Sequence, residues 1–245
     1  QSFDIKLFQS MGKGFKIDSE LVMAIKTLDP ETVFHIHGAF IPAYISVTRL
    51  LRKQNIPYVF TPHGAYNAQA MKKSRIQKWL FITLFEKKLL RKASCVQILG
   101  RNELLSARRI KGNISWAIVP NGQVITDIKL KKTWPRHSHH PIFCYMGRLD
   151  IQHKGLDLLL EGFNIFKKQA GGKAKLWLIG DGDDRSKLET FVREHHLEKE
   201  VEFWGAKFED DKTDLLIQAD AFYHTSRYEG MPMAVLEVAL LGIPC

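Results

Sequence analysis

The chain has 245 residues, of which 45% are hydrophobic and 25% charged, and this composition excludes a disordered or fibrous protein. It carries 36 Lys and Arg against 26 Asp and Glu, and the formal net charge of +10 favours anionic partners such as phosphates or an anionic membrane surface. The three cysteines, Cys95, Cys144 and Cys245, have no paired spacing, which argues against a disulfide framework or a zinc site and indicates a reducing cytoplasm.

Short apolar runs rich in β-formers alternate with helical patterns, as expected for repeated βαβ units with parallel sheets. The predicted strands cover residues 32–37, 58–61, 94–99, 116–119, 142–146, 175–179, 201–204 and 221–224. The predicted helices cover residues 19–28, 43–54, 76–91, 102–110, 156–169, 185–195 and 213–218, and a last helix has Pro232 in its first turn. Because the chain begins at Gln1 and stops where another strand is expected, we expect both ends to be cut.

A basic stretch bracketed by prolines interrupts this alternation near residues 129–141 and cannot bury itself. It predicts a linker at residues 131–140, between a first domain at 1–130 and a second domain at 141–245. Two doubly wound domains bind ligands in a cleft outside the carboxyl ends of their strands. The informative residues should therefore follow strands directly.

The segment 71–92 holds eight Lys or Arg and one acidic residue, with aromatic and aliphatic residues between them. A basic amphipathic helix of this kind can lie on an anionic membrane surface. It can equally pack its apolar stripe on its own sheet and leave its lysines in water. Both alternatives are open, and no apolar run reaches the roughly 18 residues of a membrane span.

Two glycine-containing loops follow predicted strands of the second domain. In the first, Gly147 allows close backbone approach, and Arg148 and Lys154 place two cations where a diphosphate could lie, although a solvated loop is the alternative. In the second, at residues 180–185, G-x-G-x-x-G is not completed. We interpret this second loop as a backbone turn that lines a nucleotide pocket, with metal binding or plain helix capping by its aspartates as alternatives.

A pair of glutamates brackets the start of the last helix. Glu229 precedes the helix and Glu237 lies two turns in, so at 1.5 Å rise per residue their α-carbons are about 12 Å apart along the axis. Paired carboxylates in glycoside hydrolysis are roughly 5 to 9.5 Å apart, so a hydrolase is disfavoured. Carboxylates this far apart suit hydroxyls at opposite ends of an extended ligand, with a phosphate at the helix N-terminus between them. The apolar run 231–235 predicts burial, and a helix with solvated glutamates is the alternative.

Taken in order, these motifs resemble the donor domain of family 4 retaining glycosyltransferases of GT-B architecture. Residues 33–38, 61–64 and 119–122 resemble the matching first-domain segments of bacterial exopolysaccharide and lipopolysaccharide members, so the resemblance covers nearly the whole chain. It implies an α/β fold with two Rossmann-like parallel-sheet domains that face a cleft, both of them incomplete here.

The resemblance implies a donor-binding set in the second domain. In it, Glu229 would bind the transferred sugar, Glu237 the ribose, and the amides of Met233 and Ala234 the phosphate. Pro232 departs from the family pattern, because it stands where many members have a second glycine and it lacks an N–H. The donor-binding set consists of Gly147, Glu229, Gly230, Met231, Met233, Ala234 and Glu237.

The catalytic residues implied by the resemblance are Arg148 and Lys154, which would bind the donor diphosphate, and His63, which would reach the donor sugar across the cleft. In the first domain, residues 99–100 are Leu-Gly where relatives often have Thr-Ser. A metal site formed by His35, His37 and His63 is a minor alternative, because no carboxylate with ligand spacing accompanies them. We therefore predict no metal site and no required cofactor.

The predicted function is transfer of a hexose from a nucleotide diphosphate sugar to a glycan or lipid-linked glycan in cell-surface polysaccharide synthesis, with retention of configuration. Preorganised Arg148 and Lys154 should stabilise the departing diphosphate, so alanine at Arg148 should cut turnover strongly. The alternatives are a GT-B nucleotide-sugar isomerase or epimerase and a non-catalytic basic membrane-binding or glycan-binding protein. We expect a cytoplasmic protein that binds no nucleic acid, with attachment to the inner membrane face through 71–92 as one of the two open alternatives for that segment.

Overall fold

The computed structural model describes residues 4–123, 140–170 and 174–245. The chain divides into two compact units, Gln1–Asn121 and Gly122–Cys245. The predicted linker at 131–140 lies outside the described residues except for His140, so the linker and its bounds stay a prediction.

The first unit is built on a four-stranded parallel sheet in the order β1-β2-β3-β4, so each strand pairs with its neighbour in sequence. The strands are β1 Phe34–His37, β2 Tyr58–Thr61, β3 Cys95–Ile98 and β4 Trp116–Ile118. The helices are α1 Ser19–Lys26, α2 Ala43–Lys53, α3 Arg75–Phe81, α4 Lys87–Lys92 and α5 Arg101–Ala107, and a π-helix, Ile82–Glu86, joins α3 to α4.

Alternate strand residues of this sheet point to opposite faces, as the two-residue period of a strand requires. Ile36, Phe60 and Val96 are buried in the core that the helices cover. His35 and His37, which flank Ile36 on β1, are exposed. On β1 the residues that point away from the apolar core are therefore polar.

The predicted helix 76–91 is interrupted by the π-helix Ile82–Glu86. Ile82, Leu89 and Leu90 are buried in the core, so part of this segment packs on its own sheet. Its other face carries Ile76, Leu80 and Leu84, whose exposed fractions are 84%, 57% and 60%. Among the described residues, none of the helices combines the length and apolarity needed to span a membrane.

The second unit has a parallel sheet in the order β7-β6-β5-β8. Its strands are β5 Ile142–Met146, β6 Lys175–Ile179, β7 Val201–Gly205 and β8 Ala221–Phe222. Its helices are α6 Ile151–Lys154, α7 Leu156–Ala170, α8 Arg185–Glu194, α9 Glu209–Leu216 and α10 Met233–Leu240. The two parallel sheets confirm the α/β class, although the strand predicted at 221–224 ends at Phe222 and α6 was not predicted.

Both faces of the second sheet are buried, which is usual for parallel sheets. Tyr145 and Leu178 belong to one apolar cluster, whereas Cys144 and Trp177 belong to the cluster on the other face. The strand order reverses at β5, because β6 and β7 lie on one side of it and β8 on the other. In open parallel sheets, ligands bind at such a switch point, outside the carboxyl ends of the two strands.

Candidate active site

The loop after β5 is held against the loop after β6 by direct backbone contact. The Gly147 N–H donates to Ile179 O at 2.9 Å. A Cβ added to Gly180, which has a φ of +139°, would lie 1.9 Å from Gly147 O, and one added to Gly182 would lie 2.6 Å from Leu149 O. Gly180 and Gly182 are therefore required for the loop after β6 to pack against the loop after β5. That packing fixes the backbone position of the loop after β5 where it leaves the strand.

The short helix α6 follows Gly147 and is capped by two aspartates. Asp150 Oδ1 accepts from the His153 N–H at 2.9 Å, and Asp184 Oδ2 accepts from the Ile151 N–H at 2.9 Å. Capping by Asp184 was among the expectations, but its side chain caps this neighbouring helix and makes no cap bond to its own helix α8. Four residues are too few for a helical period, so only the N-cap aspartate and the following Gly155 could have predicted α6.

The loop after β8 joins α6 at close range. A Cβ added to Gly155 would lie 2.2 Å from Thr225 O, and Gly155 has a left-handed φ of +64°. The Thr225 hydroxyl donates to Lys154 O at 3.0 Å, and the Arg227 N–H donates to His153 O at 2.9 Å. The backbone thus brings the loops that follow β5 and β8 together at the switch point.

Lys154 and Glu229, which are 75 residues apart in sequence, form an ion pair at this point. Lys154 Nζ donates to Glu229 Oε1 at 2.5 Å, and the Ser226 hydroxyl donates to the same oxygen at 2.9 Å. His153 and His224 place Nε2 atoms 3.9 and 4.0 Å from that oxygen. Burial alone would raise the pKa of Glu229, but the hydrogen bonds from Lys154 and Ser226 and the Lys154 charge hold it below its usual range.

Arg148 lies on the same loop and remains 63% exposed. Its Nη2 lies 3.3 Å from Asp150 Oδ2 and 3.3 Å from His153 Nδ1. The His153 ring stacks on Tyr228, with ring centroids 4.3 Å apart. His153, Tyr228, Ser226 and His224 were not predicted, because no local pattern indicates that the loop after β8 folds onto α6.

Helix α10 begins at Met233. Pro232 is the N-cap with extended backbone, so its placement in the first helical turn was wrong, and it makes no side-chain cap bond. The first amides of a helix have no partner within the helix and can face an anion. The expected burial of 231–235 was also wrong, since Met233 is 39% exposed and Ala234 is only partly buried. Val238 fills the core position instead.

Glu237 lies on α10, and its carboxylate is paired away from Glu229. Its Oε2 accepts from Lys212 Nζ on α9 at 2.7 Å. Gly230 and Met231 lie in the connection between Glu229 and the helix and are partly buried. The structure therefore brings Gly147, Arg148, Lys154 and Glu229 together, whereas Glu237 has its own lysine partner. His63 belongs to the other unit, and its role stays a prediction.

The histidines at the strand ends of the first unit are joined by hydrogen bonds. His37 Nδ1 lies 2.7 Å from His63 Nε2, and His35 Nε2 lies 2.7 Å from Thr61 Oγ1. Burial, and then the neighbouring His37, lower the pKa of His63, which has a left-handed φ of +50°. Across the described ranges, no three or more His, Cys, Asp or Glu side chains form a metal-ligand group.

Two buried glutamates hold the loops around these histidines. Glu86 Oε1 accepts from the N–H of Phe40, whose φ is +62°, at 2.8 Å. Glu103 Oε2 accepts from the Leu99 N–H at 3.3 Å. Burial and then the charge of the neighbouring Glu86 raise the pKa of the Tyr66 hydroxyl. Neither glutamate was predicted, because glutamate is rarely buried.

We expect Glu86→Gln to flatten the pH dependence of stability. Burial raises the pKa of Glu86 to about 7 from an ordinary value of 4.5. Because the folded state holds this proton more tightly, the Glu86 contribution falls as pH rises from about 4.5 to about 7, by about 3 kcal/mol. Glutamine stays neutral and can still accept from Phe40. Urea unfolding across this pH range measures the slope, which the exposed variant Glu31→Gln should leave unchanged; an unchanged slope in Glu86→Gln contradicts the prediction.

Two family models match the chain. The model "Glycosyl transferase 4-like domain" matches residues 21–122, and the model "Glycosyl transferases group 1" matches residues 127–245. Together they cover almost all of the first and second units. The chain belongs to the family 4 glycosyltransferases of GT-B architecture.

Named relatives and solved structures agree with this family. Lipopolysaccharide 1,6-galactosyltransferase of Escherichia coli K12 is 32% identical over 116 residues, which cover 45% of this chain and 31% of that protein. The lipopolysaccharide outer core galactosyltransferase WaaB, in its apo form, superposes with a TM-score of 0.64 at 19% identity, over 92% of this chain and 58% of that one. The structure of Anabaena HepE in complex with UDP and glucose superposes with a TM-score of 0.68 at 20% identity, over 92% of this chain and 60% of that one. At these identities the structures show the fold alone, and the chain spans less than two thirds of each of these three proteins.

Proposed function

We propose that this protein transfers a hexose from a nucleotide diphosphate sugar to a glycan or lipid-linked glycan of cell-surface polysaccharide synthesis. The observation that supports it is the ion pair of Lys154 and Glu229 at the β5–β8 switch point, with the exposed Arg148 on the same loop. The Lys154 and Arg148 side chains can donate charge-assisted hydrogen bonds to a diphosphate, and the Glu229 carboxylate can accept hydrogen bonds from sugar hydroxyls. Lys154 and Arg148 would bind the diphosphate and Glu229 the transferred sugar.

The first turn of α10 would add to the diphosphate site. Its amides at Met233 and Ala234 follow a proline that provides no side-chain cap, and the positive end of the helix dipole favours an anion there. Glu237, one to two turns further along and held by Lys212, would accept from the ribose hydroxyls. Gly147, Gly230 and Met231 would supply backbone around the ligand.

In the proposed reaction, the bond between the anomeric carbon and the diphosphate oxygen breaks while the acceptor oxygen bonds to that carbon from the same face. The acceptor proton moves to the departing phosphate oxygen, so no cofactor or external base is required. The leaving group gains negative charge, which preorganised Arg148 and Lys154 stabilise more in the transition state than in the ground state.

The proposal is tested by offering the full-length protein a panel of UDP, GDP and ADP sugars in a thermal-shift assay, followed by mass spectrometry of products formed with glycan acceptors. Anabaena HepE was solved with UDP and glucose, so UDP-glucose is the first donor to use. A shift with one donor and a glycosylated acceptor are expected. Conversion of the donor without acceptor would indicate an isomerase or epimerase, and the absence of any shift would indicate a binding protein without transferase activity.

A second proposed property is attachment to an anionic membrane surface through 71–92. Residues 1–121 contain 19 of the 36 Lys and Arg but only 7 of the 26 Asp and Glu, so the net positive charge lies in the first unit. The exposed side chains of Ile76, Leu80 and Leu84 form an apolar stripe at a spacing of four residues. Such a stripe between cations suits the interface of a bilayer with anionic headgroups.

A basic groove adjoins this stripe. It is a cavity of about 560 Å³ between α2 and the π-helix, with Leu84 in its wall. Among the described residues, its four cations have no ion-pair partner, which leaves them available to lipid phosphates. These cations are Arg49, Arg52, Lys53 and Lys88.

We expect the double variant Leu80→Ser, Leu84→Ser to lose sedimentation with vesicles of equal parts phosphatidylcholine and phosphatidylglycerol. Serine removes the apolar side chains that would enter the interface, at positions where they make little contribution to the core. Leu105→Ser, at a site 62% exposed on α5, is the matched control and should sediment like the wild type. Equal binding to pure phosphatidylcholine, or no effect of the double variant, contradicts this proposal.

A further inference from the structure

His153 contacts three groups at the switch point with one ring. Its Nδ1 lies 3.3 Å from Arg148 Nη2, and its Nε2 lies 2.9 Å from Tyr228 O. The ring also stacks on the Tyr228 ring at an interplanar angle of 20°. It therefore links the guanidinium of the loop after β5 to the backbone of the loop after β8, one residue before Glu229.

The two hydrogen bonds assign the tautomer of this ring. The Tyr228 carbonyl oxygen can only accept, so His153 Nε2 carries the proton. Nδ1 of the neutral ring then has a free lone pair, and the Arg148 guanidinium, which can only donate, supplies the proton for that bond. One neutral tautomer thus satisfies both partners at once, with no rearrangement of either loop.

We propose that His153 is a positioning residue that fixes the direction of the Arg148 guanidinium for a diphosphate. This inference rests on the proposed donor site. Arg148 is largely exposed, and within the described part of the chain its guanidinium has one other polar contact, Asp150 at 3.3 Å. A long exposed side chain loses conformational freedom when it binds a ligand, and a prior hydrogen bond reduces that loss.

The loops themselves are held by bonds that do not use the imidazole. Thr225 donates to Lys154 O, Arg227 donates its N–H to His153 O, and the Arg227 guanidinium bonds both oxygens of Asp157 at 2.9 and 2.6 Å. Loss of the His153 ring nitrogens should therefore leave the backbone of the switch point in place. The effect should appear in binding of the diphosphate and not in folding.

The test is a double-mutant cycle on binding of UDP and of uridine, measured by calorimetry. His153→Phe keeps a ring that can stack on Tyr228 and removes both hydrogen bonds. We expect it to weaken UDP about tenfold and leave uridine unchanged, and to have no further effect in the Arg148→Ala background. His153→Asn, whose oxygen can stand near the position of Nδ1, should restore part of the UDP affinity.

His195→Phe is the matched control, because His195 also stacks on an aromatic ring of the same unit, Phe191 at 3.9 Å. It should bind UDP like the wild type. Additive losses in the double variant, equal weakening of uridine, or wild-type UDP affinity in His153→Phe would each overturn the positioning role. If Arg148→Ala itself binds UDP normally, the proposed diphosphate site fails as well; if only His153→Phe does so, the donor site stands and this inference alone is lost.

Discussion

Gly180→Ala is expected to lower the free energy of unfolding of the second unit by more than about 4 kcal/mol. The added Cβ would lie 1.9 Å from Gly147 O and 2.9 Å from the Gly147 carbonyl carbon, and both are backbone atoms that no side-chain rotation can move. The φ of +139° at Gly180 adds strain for any residue with a Cβ. Relief of this clash would require the loops after β5 and β6 to separate. The loop after β5 also carries Arg148, so the proposed diphosphate site would be displaced. Urea unfolding of the variant measures the loss.

Two other glycines separate the clash from the effects of conformation alone. Gly205 has a φ of +67° but no atom within 4 Å of an added Cβ, so Gly205→Ala should cost only about 1 to 2 kcal/mol. Gly162 lies inside α7 with open space around it, and Gly162→Ala should stabilise the protein by up to about 1 kcal/mol. If Gly180→Ala costs no more than Gly205→Ala, the close approach of the two loops does not constrain the fold.

The strands that surround the proposed donor site could be read directly from sequence. β5 and β6 were predicted at their observed bounds, because each has an apolar run, preceded in β6 by Lys175, that ends at a glycine, Gly147 or Gly180. A buried parallel strand produces that pattern regardless of its partners. The positions of Arg148 and Lys154 after β5 followed from the same signal.

The pairing of Lys154 with Glu229 could not be read from sequence. It depends on β8 returning to the open side of β5, which is a property of the sheet order and not of any local pattern. The prediction that Pro232 lies in the first turn of α10 was wrong for a local reason. Proline is compatible both with a first helical turn and with the extended N-cap position that Pro232 occupies. The π-helix was missed because Ile82–Glu86 has an ordinary helical pattern.

The buried glutamates of the first unit lie outside what sequence rules can predict. Glu86 and Glu103 follow helical patterns in which glutamate is expected to face water. Their burial becomes understandable only when the loops at Phe40 and Leu99 are in place, since those loops present N–H groups that need an acceptor. The Phe40 N–H that Glu86 accepts from is 46 residues away, so only the assembled fold explains the burial of Glu86, whereas Glu103 accepts from an N–H only four residues away, next to the start of its own helix.

Lys154→Ala is expected to reduce turnover of the nucleotide sugar by about 100- to 1,000-fold, the usual effect of removing one group that stabilises charge developing in a transition state. The substitution removes a cation from the proposed diphosphate site and also leaves Glu229 without its closest partner. Because Lys154 is the main group that lowers the pKa of Glu229 against burial, that pKa should rise in the variant. Because Glu229 then loses its proton at a higher pH, the remaining activity should rise with pH over a higher pH range than in the wild type.

Lys175→Ala provides the matched control for this loss. Lys175 pairs with Glu202 at 2.6 Å in the same unit, but both side chains are more exposed than those of Lys154 and Glu229. Exposed ion pairs contribute about 0 to 1 kcal/mol, so this variant should keep both its turnover and its stability. Turnover with the preferred donor, measured over a pH series for both variants and the wild type, decides the matter. If Lys154→Ala behaves like Lys175→Ala, the ion pair at the switch point supports only the fold, and the donor diphosphate must bind to other groups.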